Sequence, residues 1–462
     1  MTAFHHFKRA LPLLAAALAA CSFIPVQERP AAPVAAGFPL PAAASGTPAP
    51  ELAWTDFLAD ARLKALVELA LQNNRDLRIA VLNVEQTRAA LGLQRADQLP
   101  TLNAGAAASR APGAGGGMVN GYSLGLQVTA FELDLFGRVK SLSAAALARY
   151  LASDEGRRAA QAALVAGVAQ ADLALRADDE LLTLTQRTLA SRQDGLRLVR
   201  LKFDGGASAE PELRTADSLV AAARANLAAL QRQRSLDANA LTLLVGQPLP
   251  ATLPAPGAWG QLRLADLPAG LPSEVLLQRP DVRQAEQQLV AANANIGAAR
   301  AAFFPRIALT GSAGFASNQL SGLFDNTAWS FAGQLLQPIF DSGRNEANLA
   351  AARAGRDIAV AQYEKTVQAA FREVADALAG RATLDEQLAA QQALADAEAR
   401  RLELAELLYR GGVASQLDRL DAERNTLTAR QAVVQLQLAR LQNAVQLYRV
   451  LGGGVPPATP MR

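Results

Sequence analysis

"YRGGVASQLDRLDAER", residues 409–424, sets a Gly-Gly break inside a long helical pattern and follows it with two aspartates, Asp418 and Asp421. A weaker copy, "LKFDGGASAEPELRTAD", stands at residues 201–217. The glycine pairs are 206 positions apart (411 − 205), and the same shift relates Gly137 to Gly343 and Gly246 to Gly452. Upstream, "RDLRIAVLNVEQTRAALGLQRADQLPTL" aligns with "PDVRQAEQQLVAANANIGAARAAFFPRI", and Asp76 to Pro100 spans the same 24 positions as Asp281 to Pro305. An internal repeat of this length means one structural unit used twice. The repeats are placed at 61–246 and 273–452, joined by the Pro-rich segment 247–272, which reads as a linker, and followed by a tail at 453–462.

Each repeat has the same predicted order. A helix of about 24 residues ends at the proline, two short alternating segments flank a loop, a helix of about 66 residues follows (138–203 and 344–410), and a final helix of about 36 to 38 residues comes after the Gly-Gly break. At 1.5 Å per residue the long helix spans ~100 Å, about what the two shorter ones span end to end. Rods of that length bury an apolar stripe only by packing along one another. In the last helix Leu417, Leu420, Leu427, Val434, Leu438, Leu441, Val445 and Tyr448 fall on three-four spacing, interrupted by Arg424 and Gln431.

The alternating segments are candidate membrane strands. In "GYSLGLQVTAF" Tyr122, Leu124, Leu126, Val128 and Ala130 share one face and Ser123, Gly125, Gln127 and Thr129 the other. In "RIALTGSAGF" Ile307, Leu309, Ala313 and Phe315 oppose Ala308, Thr310, Ser312 and Gly314. Weaker segments lie near 101–110 and 328–337. An apolar outer face, a small or polar inner face and about ten residues per strand suit a water-filled barrel. Four strands per chain cannot close one, because barrels begin at about eight, so several chains must contribute.

The N-terminus has Lys8 and Arg9 ahead of "ALPLLAAALAAC", an apolar run too short to span a bilayer, which describes a secretory signal at 1–20. The single cysteine, Cys21, stands directly after Leu18-Ala19-Ala20, a placement that resembles the lipobox of bacterial lipoproteins, and Ser22 follows it. Segment 21–60 is then a lipidated N-terminal stretch, with the lipid on Cys21 as the only covalent addition expected and no other cofactor. Beyond residue 21 no run of 18 apolar residues occurs, so any crossing must be made by strands.

Composition narrows the function. Half the chain is hydrophobic but only 5% is aromatic, which suits close-packed helices. A net charge of +3 comes from arginines alternating with acids along the helices, with no basic patch for nucleic acid. "GYSLG" at 121–125 fits the G-x-S-x-G pattern of a hydrolase elbow, yet Ser123 sits inside a strand, and both histidines, His5 and His6, fall in the signal. "APGAGGGMVNG" lacks dinucleotide-loop spacing and reads as a flexible loop. With no His or Cys left after the acylated residue, no metal site and no enzyme are expected.

"LLQRPDVRQAEQQLVAANANIGAARAAFFPRIALTG", "FELDLFGRVKSLSAAALARYLAS" and the stretch from Tyr409 to "YRVLGGG" resemble the TolC-type outer membrane factors, in their lipoprotein branch (NodT and OprM-like) serving resistance-nodulation-division efflux systems. The resemblance covers roughly residues 50–452. It implies a mainly α chain with a transmembrane β portion. Three chains would share a twelve-stranded barrel in the outer membrane, continued by a coiled-coil helical barrel in the periplasm. It also implies a passive exit duct for drugs or other small molecules, and as partners a periplasmic adaptor and an inner-membrane transporter. Rival readings are a periplasmic coiled-coil lipoprotein that conducts nothing, and a duct for an exported protein. No lipoyl-like segment of the adaptor kind interrupts the rods. One departure is that Val455 follows Gly454 where relatives often have Trp, which bears on the packing of the tail.

By the same resemblance the hairpin tips, Gly205, Gly206, Gly411 and Gly412, meet the adaptor, and Asp418 and Asp421 match carboxylate rings that narrow the periplasmic aperture. Leu417 matches a leucine ring found one turn nearer the tip in some relatives, and the chain leaves open which ring is tighter. Glu212 is the first-repeat counterpart of Asp418 (418 − 212 = 206). Asp418 has a second role open to it, since Ser415 followed by an acid three residues on is a capping-box pattern.

Overall fold

The computed structural model describes residues 23–26, 28–38, 48–113, 116–267 and 273–455. The signal segment, Cys21 and the end of the tail lie outside them. The elements run α1 (Trp54–Phe57), α2 (Ala61–Asn73), α3 (Arg75–Ala96), β1 (Leu102–Pro112), β2 (Met118–Glu132), α4 (Arg138–Asp204), α5 (Glu210–Val245), α6 (Pro280–Ala301), β3 (Arg306–Ser317), β4 (Thr327–Leu336), α7 (Arg344–Arg410) and α8 (Gln416–Val450). The series α3-β1-β2-α4-α5 recurs as α6-β3-β4-α7-α8. α4 and α7 have 67 residues each.

Two features differ from the sequence reading. The first repeat opens with an extra helix, α2, which has no helical counterpart before α6, where residues 273–278 form a 3-10 turn. The helices before the strands stop at Ala96 and Ala301, four residues short of Pro100 and Pro305, because the residue before a proline is pushed out of the helical region and the last turn unwinds ahead of it.

The four strands form one antiparallel sheet in the order β1-β2-β3-β4, so β2 and β3 join the two repeats. The register sets Gln127 beside Asn103 and Ser312, and Ser312 beside Ser330, with the two serine hydroxyls 2.8 Å apart. Leu126 lies beside Ala104 and Ala313, and Ala313 beside Trp329, on the opposite face. Ser123, paired with Ala107 and Ala316, belongs to the small and polar face. Ala130 does not continue the apolar row as its spacing predicts. A bulge falls between Val128 and Phe131, Ala130 takes a positive φ of 52°, and Phe131 pairs with Leu309 in its place. The extra residue shifts the alternation by one position and keeps an aromatic on the apolar face. Gly125 and Gly314 pair directly, and a Cβ on Gly314 would stand 2.2 Å from the Leu124 carbonyl oxygen, so these backbones touch where no side chain fits.

The described chain falls into two compact units that cut across the repeats. One comprises Met1–Pro33, Val81–Gly156 and Asp281–Thr366, and holds the sheet. Within it α6 lies along the start of α4, where Arg283 pairs with Glu155 at 3.4 Å. The N-terminal segment is laid on the same helices: Phe23 stacks on Phe304 at 4.7 Å, Asn293 donates to the Pro25 carbonyl at 2.8 Å, and Ile24 occupies the space a Cβ at Gly297 would need.

The other unit comprises Val34–Ala80, Arg157–Pro280 and Val367–Arg462. Asp60 caps α2 by accepting from the Leu63 amide and receives both terminal nitrogens of Arg176, while fully buried Asp172 takes Arg176 and Arg62. Buried Asn74 separates α2 from α3, accepting from the Leu77 amide and donating to the Leu244 carbonyl, 2.8 Å in each case. Gly246 ends α5 with a φ of 79°, so close to Asn73 that a Cβ would lie 2.3 Å from its carbonyl oxygen. Segment 247–267 is more than a connector. Leu262 and Leu267 are buried, Leu264 bridges Leu58, and the Trp259 carbonyl accepts from Gln437 of α8. Tyr448 stacks on Phe57 at 4.1 Å and donates to the Leu52 carbonyl at 2.6 Å, and Gly453 lies flush on its ring, which packs the tail as far as its glycines.

Candidate gate at the Gly-Gly hairpins

Both hairpins turn by one device. At the end of α4 the Gly206 amide donates to the Phe203 carbonyl and the Ala207 amide to Lys202, with Gly206 at φ 73°. At the end of α7 the Gly412 amide donates to Tyr409 and the Val413 amide to Leu408, with Gly412 also at φ 73°. This is the Schellman arrangement, and only the second glycine of each pair needs the left-handed conformation. Gly205 and Gly411 occupy the preceding positions, directly after the last helical residues, and their amides still donate to the Leu201 and Leu407 carbonyls.

Ser415 then caps α8, and the capping box is complete. The Ser415 hydroxyl accepts from the Asp418 amide at 3.2 Å, while the Asp418 carboxylate receives the Ser415 amide at 3.0 Å and its hydroxyl at 2.6 Å. These bonds, the hydroxyl first, hold the Asp418 carboxyl below the usual aspartate range. Glu212 occupies the matching place at the start of α5 and receives the Ser208 hydroxyl. Leu417, between the cap and Asp418, is 72% exposed.

Asp421 is one turn further on and does different work. It accepts from Arg401 of α7 at 2.9 Å and pairs with Arg424 of its own helix. Arg401, placed between Asp421 and Glu398, is held more firmly protonated, chiefly by Asp421. The cations on Asp421 come from the two helices of its own hairpin, and the Arg401 pair clamps α7 to α8.

Residue spacing did not announce the tie between the hairpins themselves. Arg192 of α4 approaches Glu423 of α8 at 3.5 Å, Arg419 reaches the same carboxylate at 3.7 Å, and Arg192 also donates to the Leu219 carbonyl of α5 at 3.2 Å. All three side chains are largely buried. Nearer the turns Lys202 donates to the Tyr409 hydroxyl at 3.2 Å, and Lys202 and Arg419 lie 5.5 and 5.7 Å from the Tyr409 ring centre. Between the hairpins is a cleft of about 330 Å³ lined by Leu196, Val199, Glu212, Leu417 and Leu420 among others. Arg419 and Glu423 are visible as a helical i,i+4 pair, but Arg192 is 231 positions from Glu423 (423 − 192), and no spacing reveals that contact. Among the described residues no helix is long and apolar enough to cross a membrane, and no cluster of acids, His or Cys could hold a metal.

Residues 66–247 and 271–453 match the family described as "Outer membrane efflux protein". This chain belongs to that family. Among its relatives in the outer membrane efflux family is the solvent efflux pump outer membrane protein SrpC of Pseudomonas putida, 45% identical over 464 residues that cover 96% of this chain and 98% of SrpC. Outer membrane protein OprJ of Pseudomonas aeruginosa is 46% identical over 96% of this chain and 95% of its own. Among solved structures, the open state of the Neisseria gonorrhoeae MtrE outer membrane channel is similar, with a TM-score of 0.88 and 42% identity over 96% of this chain and 100% of that one. The efflux protein is accordingly an outer membrane protein with a large helical periplasmic part, and the sheet is the portion suited to lipid.

Proposed function

We propose that three copies of this chain form a passive, gated exit duct for small molecules, fed by a periplasmic adaptor and an inner-membrane resistance-nodulation-division transporter. The observation that carries this reading is the sheet. It has four strands, β1 and β4 pair on one side only, and its apolar row bears Trp329 and Phe331, 81% and 69% exposed. An open sheet with such a face is unstable alone in a bilayer, and three of them supply the twelve strands of a closed barrel with a polar lumen. The names of SrpC and OprJ's family favour organic solvents and related small molecules as cargo over an exported protein.

In this reading Leu417, Asp418, Asp421 and Glu212 line the narrowed periplasmic end. Threefold symmetry makes each a ring, and the arginines on Asp421 reduce the repulsion that three bare carboxylates would suffer. The tips at Gly205, Gly206, Gly411 and Gly412 meet the adaptor. Cys21 carries the lipid anchor, next to a segment from Phe23 that is bound to α6. The duct itself does no chemistry. Unboiled outer membrane extract should run as an SDS-resistant trimer, and the purified trimer should give discrete single-channel conductance in a planar bilayer. A monomer, or a trimer silent under every condition, sinks the proposal.

A further inference from the structure

The bulge in β2 decides which way Glu132 points. Along β2, Ser123, Gly125 and Gln127 lie on the small and polar face, and unbroken alternation would put Phe131 there as well and turn Glu132 to the apolar face. The extra residue between Val128 and Phe131 reverses this, so that Phe131 pairs with Leu309 in the apolar row and Glu132 with Ala308 in the polar row. Re-aiming a side chain is a common use of a bulge. Ala130, at φ 52°, sits in a conformation unusual for a residue with a Cβ, and its amide donates to the Thr310 hydroxyl at 3.3 Å. β4, the counterpart of β2 in the second repeat, pairs with β3 without any such shift.

On the polar face Glu132 meets two arginines. Arg138, the first residue of α4, donates to its carboxylate from Nε and Nη2, both at 2.8 Å, and Arg306, the first residue of β3, donates from Nε at 2.5 Å. The Glu132 side chain is 11% exposed and that of Arg306 62%, so the acid is enclosed by its partners while Arg306 remains open to solvent. Arg306 pairs with Leu336 and stands in one row with Ala308, Thr310 and Ser312. The only other charge in the four strands is Arg110, which pairs with Asn120 in the apolar row, so the polar face carries no charge except Glu132 and Arg306. Two arginines around one carboxylate leave one positive charge in excess. Asp97 and Asp134 also lie near Arg138, but outside the strands, where Asp97 accepts from Gln94 at 3.1 Å and Asp134 from the Lys140 amide at 2.7 Å.

We propose that Arg306, held by Glu132, sets the charge preference of the barrel. The inference rests on the three-copy duct proposed above, in which the polar face lines the lumen. Three copies of Arg306 then form a cationic ring that eases the passage of anionic solutes and retards cationic ones. Reversal potentials of the full-length trimer in a planar bilayer under a salt gradient test this. Arg306→Gln should move the anion-to-cation permeability ratio several-fold toward cations at ~10 mM salt, where the Debye length is ~30 Å, and the shift should fade at ~1 M, where it is ~3 Å. Arg306→Glu should move the ratio further, and Arg306→Lys, which retains the charge, should stay near wild type. Arg138 still holds Glu132 in all three, and Arg306→Gln serves alone if Arg306→Glu does not assemble. The shift on substitution is the readout, because Asp97, Asp134 and the aspartates of the candidate gate pull the wild-type ratio the other way. Arg110→Gln removes a cation from the apolar row and should leave the ratio unchanged. A wild-type ratio in Arg306→Gln, or an equal shift in Arg110→Gln, overturns the filter while discrete conductance still upholds the duct, and a silent wild type overturns both.

Discussion

Replacing Glu423 by Gln keeps the side chain's shape and removes the one anion that faces both Arg192 and Arg419. Their side chains are 10% and 17% exposed, and that of Glu423 is 13%, so water cannot fully answer the orphaned cations. Removing one partner of a buried ion pair costs about 3 to 5 kcal/mol. The long separations of 3.5 and 3.7 Å and the residual exposure place this site lower, at about 2 to 3 kcal/mol. If the paired hairpins are the closed arrangement, that loss shifts the balance toward open by about 30- to 160-fold, at 1.36 kcal/mol per decade. Single-channel recording of the purified trimer reads this directly as open probability, and thermal melting reports the same loss as reduced stability. Glu423→Asp, which retains the charge on a shorter stem, should lie between wild type and Glu423→Gln. Wild-type open probability and melting in Glu423→Gln, with the trimer intact, would refute the inter-hairpin tie.

Asp418→Ala with Asp421→Ala should raise conductance and sensitivity to large antibiotics while trimers still form. The cap lost with Asp418 costs only about 1 kcal/mol. Unchanged conductance in that double variant would remove both residues from the gate. Gly314→Ala should sharply reduce SDS-resistant trimer on unboiled gels, because its methyl group would lie 2.2 Å from a β2 carbonyl oxygen, whereas Gly333→Ala, with 3.6 Å to the Leu309 side chain, should assemble normally.

Much of the architecture was legible in one dimension because its determinants are periodic or local. The repeated Gly-Gly breaks, the long three-four apolar pattern and the paired alternating segments are each set by a few neighbouring residues, and α4, α7 and the four strands fall where those signals place them. The bulge at Ala130 escaped because alternation alone cannot reveal one extra residue in a strand until its partner is known. α2 escaped because it interrupts the repeat symmetry, and Asn74, which separates it from α3, gains its meaning from the distant Leu244 carbonyl.

At the candidate gate the division is the same. The chain alone identified the Gly205-Gly206 and Gly411-Gly412 pairs as breaks between helices, the capping pattern of Ser415 and Asp418, and Asp421 three positions beyond it. Only the tertiary structure supplied the cations: Arg401 on Asp421 across one hairpin, and Arg192 on Glu423 across two. A carboxylate's local spacing says which way it points on its helix, but its charge balance is decided by whatever side chain the fold carries to within a few ångströms, and sequence distance does not encode that.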